Sequence, residues 1–217
     1  MLALIVTAGA WAGELETARD RQDRTALEKL AAQAEAAAGN DAAASYRAAL
    51  AYSYVAEVAE QARDRGGVKR AAESGIRLAE RAVALKPDVA EHHRVLGTLY
   101  GQIVPVNVLA GLSYGKKAQE AIGKALERDP KSALAYISRG VGNYYLPAAL
   151  GGGIDLAIRD FQKAIELNPK SDEAYLWLGL AMRKANRNAE ARKAFSKSLE
   201  LNPNRVWTKQ QLEKTPV

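Results

Sequence analysis

Two histidines, His92 and His93, are the only imidazoles in the chain, and there is no cysteine. Adjacent residues on a helix point about 100° apart, so the pair cannot converge well on one metal ion. His93 also falls at a position that is aromatic elsewhere in the chain, which reads as a packed core imidazole. The lack of cysteine removes disulfides, thiolate catalysis and cysteine-ligated zinc or iron–sulfur sites. No Ser–His–acid or Cys–His arrangement can be assembled from this inventory. The plentiful acids sit in pairs such as Asp155/Arg159 and Glu190/Lys193, spaced as ion pairs along a helix surface. Gly151-Gly152-Gly153 is not a phosphate loop, because no strand precedes it and no Gly-Lys-Ser/Thr follows. The chemistry-bearing residues therefore predict no catalysis, no metal and no cofactor. They point to a protein that binds.

The elements that carry the binding residues are helices. Alanine comes in runs such as Ala36-Ala37-Ala38 and Ala42-Ala43-Ala44, and alanine loses no side-chain entropy in a helix. No run alternates at period two. The 217 residues suffice for one domain or one continuous repeat array. The net charge of +6 is mild, and basic residues are interleaved with acids, as in Glu127-Arg128-Asp129. No Lys/Arg-rich run carries interleaved aromatics, so nucleic acid is not an expected partner.

Residues 1–12, MLALIVTAGAWA, begin with an apolar run and end in a small-x-small triplet, Ala10-Trp11-Ala12. This looks like the end of a secretory signal peptide lacking its basic start. It predicts export, in the periplasm, with a frayed helical extension of a cytoplasmic chain as the alternative. The run is too short to span a bilayer, and no transmembrane segment is expected in the mature chain.

Self-similarity is the main signal. The clearest unit has Tyr175, Leu178, Gly179 and Met182, then Ala191, Phe195 and Ser198, then Pro203. The same anchors return as Tyr136, Gly140, Ala157, Phe161, Ala164 and Pro169, and before that as His93, Leu96, Gly97, Tyr100, Ala118, Ile122, Ala125 and Pro130. Earlier, only a second half is legible, in Gly75, Ala79, Ala82 and Pro87. The helix endings ERAVALKP, GKALERDP, QKAIELNP and SKSLELNP are near copies. Each closing proline stops the second helix of a unit. Small residues sit where helices cross, and the large aromatics fill the gaps between them.

This pattern resembles the tetratricopeptide repeat family, at its 34-residue period from Pro169 to Pro203. The resemblance implies an all-α, right-handed superhelical stack of antiparallel helix hairpins, an α-solenoid of about ten helices. Repeats are expected over residues 67–203, with a capping helix over 204–217 whose Val206, Trp207 and Leu212 cover the last repeat. Residues 13–66 lack the anchors and read as a degenerate or capping hairpin. Its helices are expected at about Leu15 to Ala38 and Asp41 to Asp64, with Gly66-Gly67 closing the second.

Two units are too long. Pro130 to Pro169 spans 39 residues and Pro87 to Pro130 spans 43. Anchors on both sides stay in phase, so the insertions fall between the two helices of a hairpin, near residues 104–113 and 146–153. Both are apolar, and both emerge on the same edge of a solenoid. Either each extends its first helix and turns with glycine, or the pair builds a lip over the groove.

The family resemblance also implies which side chains line the concave face. These are Arg94, Thr98 and Gln102; Ile137, Val141, Tyr144 and Tyr145; and Leu176, Trp177, Leu180 and Arg183. The charged carboxylate clamp of some tetratricopeptide domains is not reproduced. The lining is an apolar, aromatic centre with Arg94 and Arg183 at its ends, suited to a protein or peptide partner, or to a hydrophobic small ligand. The expected function is a scaffold or adaptor. The alternative is an envelope ligand-binding component of a transport system, with the inserts closing a pocket. The lengthened repeats and early hairpin are also similar to the periplasmic helical component associated with some TRAP transporters and to the regulators of microtubule dynamics. A microtubule role fits poorly with a signal peptide.

Overall fold

The computed structural model describes residues 8–107 and 111–217. Among them are eleven α-helices, two short 3-10 turns and no strand. Helices α1 (Ala8–Asp20) and α2 (Arg24–Ala38) form the first hairpin, and α3 (Ala42–Gln61) and α4 (Arg65–Leu85) the second. The third is α5 (Ala90–Ile103) with α6 (Gly111–Arg128), the fourth α7 (Ala133–Tyr145) with α8 (Ile154–Leu167), and the fifth α9 (Asp172–Lys184) with α10 (Asn188–Leu201). The single helix α11 (Val206–Glu213) ends the stack. The first helix of each hairpin packs on the first helix of the next, α1 on α3, α3 on α5, α5 on α7 and α7 on α9. These odd-numbered helices line the inner side.

Local chemistry sets the boundaries. Asp23, Asp41, Asp64, Ser132 and Ser171 each accept a hydrogen bond from the backbone N–H three residues on, at the start of α2, α3, α4, α7 and α9. These caps satisfy N–H groups that have no partner inside the helix. Helices α4, α6, α8 and α10 end two residues before Pro87, Pro130, Pro169 and Pro203. Lys86, Asn168 and Asn202, each preceding a proline, leave the helical region at φ −142, −139 and −138, since the proline ring disfavours a helical predecessor.

The repeat glycines serve no special backbone conformation here; they make room. A Cβ on Gly97 would stand 2.7 Å from Ile122, one on Gly140 2.5 Å from Phe161, and one on Gly179 2.6 Å from Phe195. Each glycine receives the large side chain of its own hairpin's second helix. Phe161 and Phe195 are fully buried.

The N-terminal third departs from expectation. The helix read from Leu15 to Ala38 is broken at residues 21–23, where Gln22 takes a left-handed φ of 56 and Asp23 caps α2. Gly66-Gly67 do not close a helix but lie in the first turn of α4. There a Cβ on Gly67 would meet the capping carboxylate of Asp64 at 2.5 Å and the Arg24 guanidinium at 2.7 Å. α3 packs most extensively on α4, so it is the first helix of the repeat whose second half alone is legible in sequence.

Neither insert lengthens its first helix, since α5 and α7 have 14 and 13 residues against 13 in α9. In the first insert a 3-10 turn, Val104–Val106, follows α5, and the 18-residue α6 begins early, at Gly111. In the second, Pro147 leads into a 3-10 turn, Ala148–Leu150. A Cβ on Gly152 would sit 2.3 Å from the Leu146 carbonyl oxygen, so the chain folds back there on glycine alone.

α1 (Ala8–Asp20) runs unbroken across the Ala12–Gly13 bond, with Trp11 partly buried against the N-terminal core. Residues 1–7, most of the signal-like run, lie outside the described residues. No described helix is long and apolar enough to cross a membrane.

Candidate functional site

Six of the expected groove residues come together in one apolar cluster. Ile137, Leu176, Trp177 and Leu180 are buried, with Val141 and Tyr144 packed on them. Ile137 and Leu176 are 3% and 0% exposed, so they are core rather than lining. The aromatic members form a connected set. Trp177 stacks on Phe161 at 6.1 Å and meets Trp207 edge-on at 5.5 Å and Tyr144 at 5.9 Å. Tyr145 completes the set, 5.0 Å from Tyr144 and 56% exposed.

The polar candidates are separated from that set. Arg94 is 9% exposed, and its guanidinium donates to both oxygens of Glu91 at 2.8 Å. Thr98 bonds Ser138 at 3.1 Å, tying α5 to α7. Gln102 donates to the Ser53 carbonyl at 2.9 Å, tying α5 to α3. Arg183 does not stand at the groove's end as a free cation. It donates to the Gln211 side chain at 2.7 Å and to the Gln211 carbonyl and Thr215 hydroxyl, and so holds α11 and the chain beyond it.

Beside the aromatic set lies an open cavity of about 300 Å³. Its walls come from the end of α7, the second insert and α9: Tyr144, Tyr145, Leu146, Pro147, Gly153 and Lys184 among them. Lys184 donates to the Tyr144 carbonyl at 2.7 Å and places its ammonium 4.2 Å from the Tyr144 ring centroid. Burial pushes the Tyr144 and Tyr145 phenols above their ordinary range. The Tyr145 hydroxyl donates to Glu60 of α3 at 3.3 Å, and burial raises the Glu60 carboxyl. Sequence reading finds the tyrosines but misses Lys184 and Pro147 as their neighbours. The Pro-then-glycine layout of the insert is the available signal.

The inner side has a second, unexpected feature. The first and last parts of the stack touch. Arg205, which precedes α11 and is 1% exposed, donates to Asp20 of α1 at 3.1 Å and to Glu57 of α3 at 2.8 Å. Asn202 donates to Asp20 at 2.7 Å and to Asp172 at 3.1 Å. Arg19 pairs with Asp20 at 2.9 Å, reaches Glu173 of α9 at 3.5 Å, and lies 4.8 Å from the Tyr54 ring centroid. The Glu57 carboxyl is raised by burial, against the opposing pull of Arg205.

Both histidines serve structure. His92 Nδ1 lies 3.1 Å from the Ala82 carbonyl oxygen, and His93 Nε2 lies 2.6 Å from that of Pro87. They fasten α5 to the end of α4. Among the described residues, no group of three His, Cys, Asp or Glu side chains is arranged to hold a metal ion.

Comparison with known proteins agrees with this geometry. Residues 151–206 match the tetratricopeptide repeat family. A curated relative, the small glutamine-rich tetratricopeptide repeat-containing protein 2 of Mycosarcoma maydis, is 33% identical over 96 residues. That stretch is 44% of this chain and 26% of the relative, so the chain spans about a quarter of its length. Among solved structures, a thermophilic tetratricopeptide repeat protein of Thermus thermophilus superposes with a TM-score of 0.56 at 20% identity, over 88% of this chain and 99% of that one. Pseudomonas aeruginosa pilF gives a TM-score of 0.51 at 22% identity, over 76% of this chain and 66% of that one. These two likenesses show the fold. Residues 11–146, more than half of the sequence and reaching from within α1 to just past α7, match the family described as Regulator of microtubule dynamics protein 1-3, and the chain belongs to that family.

Proposed function

We propose that this chain is a non-catalytic scaffold that holds a partner protein or peptide at the aromatic set beside the second insert. One observation carries the reading: Tyr144, Tyr145, Pro147 and Lys184 surround an open cavity of about 300 Å³ on an edge where apolar residues are exposed. A concave apolar wall with few polar groups is the usual form of a recognition site. The aromatic rings suit an apolar side chain of the partner, and the Lys184 ammonium suits an acidic group next to it. The stack of hairpins supports the role by presenting this wall on rigid helices.

The same reading keeps the export expected from the N-terminal apolar run, and the partner is then an envelope protein or peptide. The test is cross-linked capture in the native host, comparing the parent with a Tyr145→Ala/Lys184→Ala variant. Loss of a specific partner from the variant, with its helical content unchanged, supports the placement. A variant that keeps every partner overturns it. Two further measurements mark rival readings. Co-sedimentation with polymerised tubulin would replace the envelope partner with the one the family description suggests. A hydrophobic small molecule retained in native mass spectrometry would make the cavity a ligand site.

A further inference from the structure

Leu15 and Ala18 anchor α1 in an apolar cluster with Leu27, Ala31 and Val55. The opposite end has its own apolar cluster, built by α7 to α11. Among the described residues no apolar cluster includes members of both ends. A set of polar contacts joins them: Arg205 to Asp20 and Glu57, Asn202 to Asp20, Arg19 to Glu173, and Gln210 to Gln22 at 3.1 Å.

We propose that this polar seam is a clasp, which closes the stack across its inner side and opens to let α1 and α3 part from α9 and α11. The proposal goes beyond the aromatic site of the proposed function and assigns a regulation to the inner side of the stack. Closed, the seam crowds Tyr54 and Glu57 on α3 with residues from the other end. Open, the inward surface of α3 becomes reachable.

The seam is the separable junction for two physical reasons. First, a buried ion pair gains little net stability, because removing each charge from water offsets most of the attraction. Here two cations, Arg19 and Arg205, face four carboxylates, Asp20, Glu57, Asp172 and Glu173. The surplus negative charge is unfavourable, and burial raises the carboxyls of both Glu57 and Asp172. Second, the hairpins pack on one another through apolar clusters, which salt does not screen. Dissolved ions screen charges exposed to water far more than buried ones, so salt favours the open seam, whose charges face water, over the closed one.

The chain has no cysteine, so labels can be placed at will. Arg21 and Asn204 are exposed and flank Asp20 and Arg205. An Arg21→Cys/Asn204→Cys chain carrying spin labels reports the seam width by pulsed electron paramagnetic resonance. The expected result is one short distance at low salt. A second population, longer by about 10 Å or more, the width of one helix, should appear in molar sodium chloride or on adding Arg205→Met. A single unchanged distance under both conditions overturns the clasp. If Arg205→Met loses its helical circular dichroism, the salt titration of the labelled parent decides alone. No partner is present in this measurement, so the clasp can fail while partner capture succeeds, and the reverse.

Discussion

Arg205 and Asp20 lie 185 positions apart in the chain and 3.1 Å apart in space. A repeat stack is ordinarily one-dimensional, each unit touching only its neighbours. This contact breaks that rule. It makes the inner side of the stack a bounded space, with side chains from both ends meeting across it.

The glycine of each repeat should be intolerant of even one methyl group. Gly140→Ala would press a Cβ against Phe161 at 2.5 Å. Overpacking of this kind costs about 1–3 kcal/mol, more than the roughly 1 kcal/mol gained in helix propensity. Urea denaturation should show the loss, and a Phe161→Leu second change should recover part of it. Equal stability of Gly140→Ala and parent would mean that the two helices are not in this contact.

Arg63 should be replaceable by glycine with a gain in stability. It is exposed and holds a left-handed φ of 60 in the turn before the Asp64 cap. A side chain in that conformation costs roughly 1 kcal/mol, and glycine adopts it freely. Arg63→Gly is expected to raise the melting temperature, with the added freedom of the unfolded chain taking back part of the gain. A lowered melting temperature would contradict the turn geometry.

His93 should make the protein lose stability on mild acidification. Burial, aided by Arg128, Lys124 and His92, holds its imidazole below the ordinary value of 6.5. Below that pH the unfolded chain takes up a proton that the folded chain refuses, so stability falls as pH falls. The slope between about pH 7 and 5 should flatten in His93→Tyr, the residue found at the same place in the next two repeats, Tyr136 and Tyr175. A slope unaltered by the substitution would assign the acid sensitivity to other groups.

Trp207→Ala should loosen one end only. Trp207 packs on Trp177 at 5.5 Å within the C-terminal cluster, while α3 to α6 are held by a separate cluster around Leu99 and Ile103. Trp207 is half-buried, so the loss should be roughly 2 kcal/mol, below the range for a fully buried tryptophan. Amide hydrogen exchange should rise in α9, α10 and α11 and stay level in α3 to α6. A uniform rise along the chain would show the two cores to be one cooperative unit.

The repeats are legible in sequence because their constraints are local. A proline stop, a glycine beneath an aromatic ring and a small residue at a crossing each leave a mark at fixed spacing. The α1–α2 turn leaves none, because Gln22 rather than glycine takes the left-handed conformation there. Gly66 and Gly67 mislead for the opposite reason, since glycine at Gly67 clears space for a cap and an arginine rather than ending a helix. The aromatic set follows from its register on the inner helices. The seam does not, because Asp20 and Arg205 occupy turn ends and acquire their meaning only from the curvature of the whole stack.

Glu57 and Glu60 sit one turn apart on α3, and each is gripped from a different place. Arg205 holds the first and Tyr145 holds the second. α3 is therefore a crossbar between the tail of the chain and the mouth of the aromatic cavity. A twist of this one helix about its axis would move Glu57 and Glu60 together, and with them both contacts.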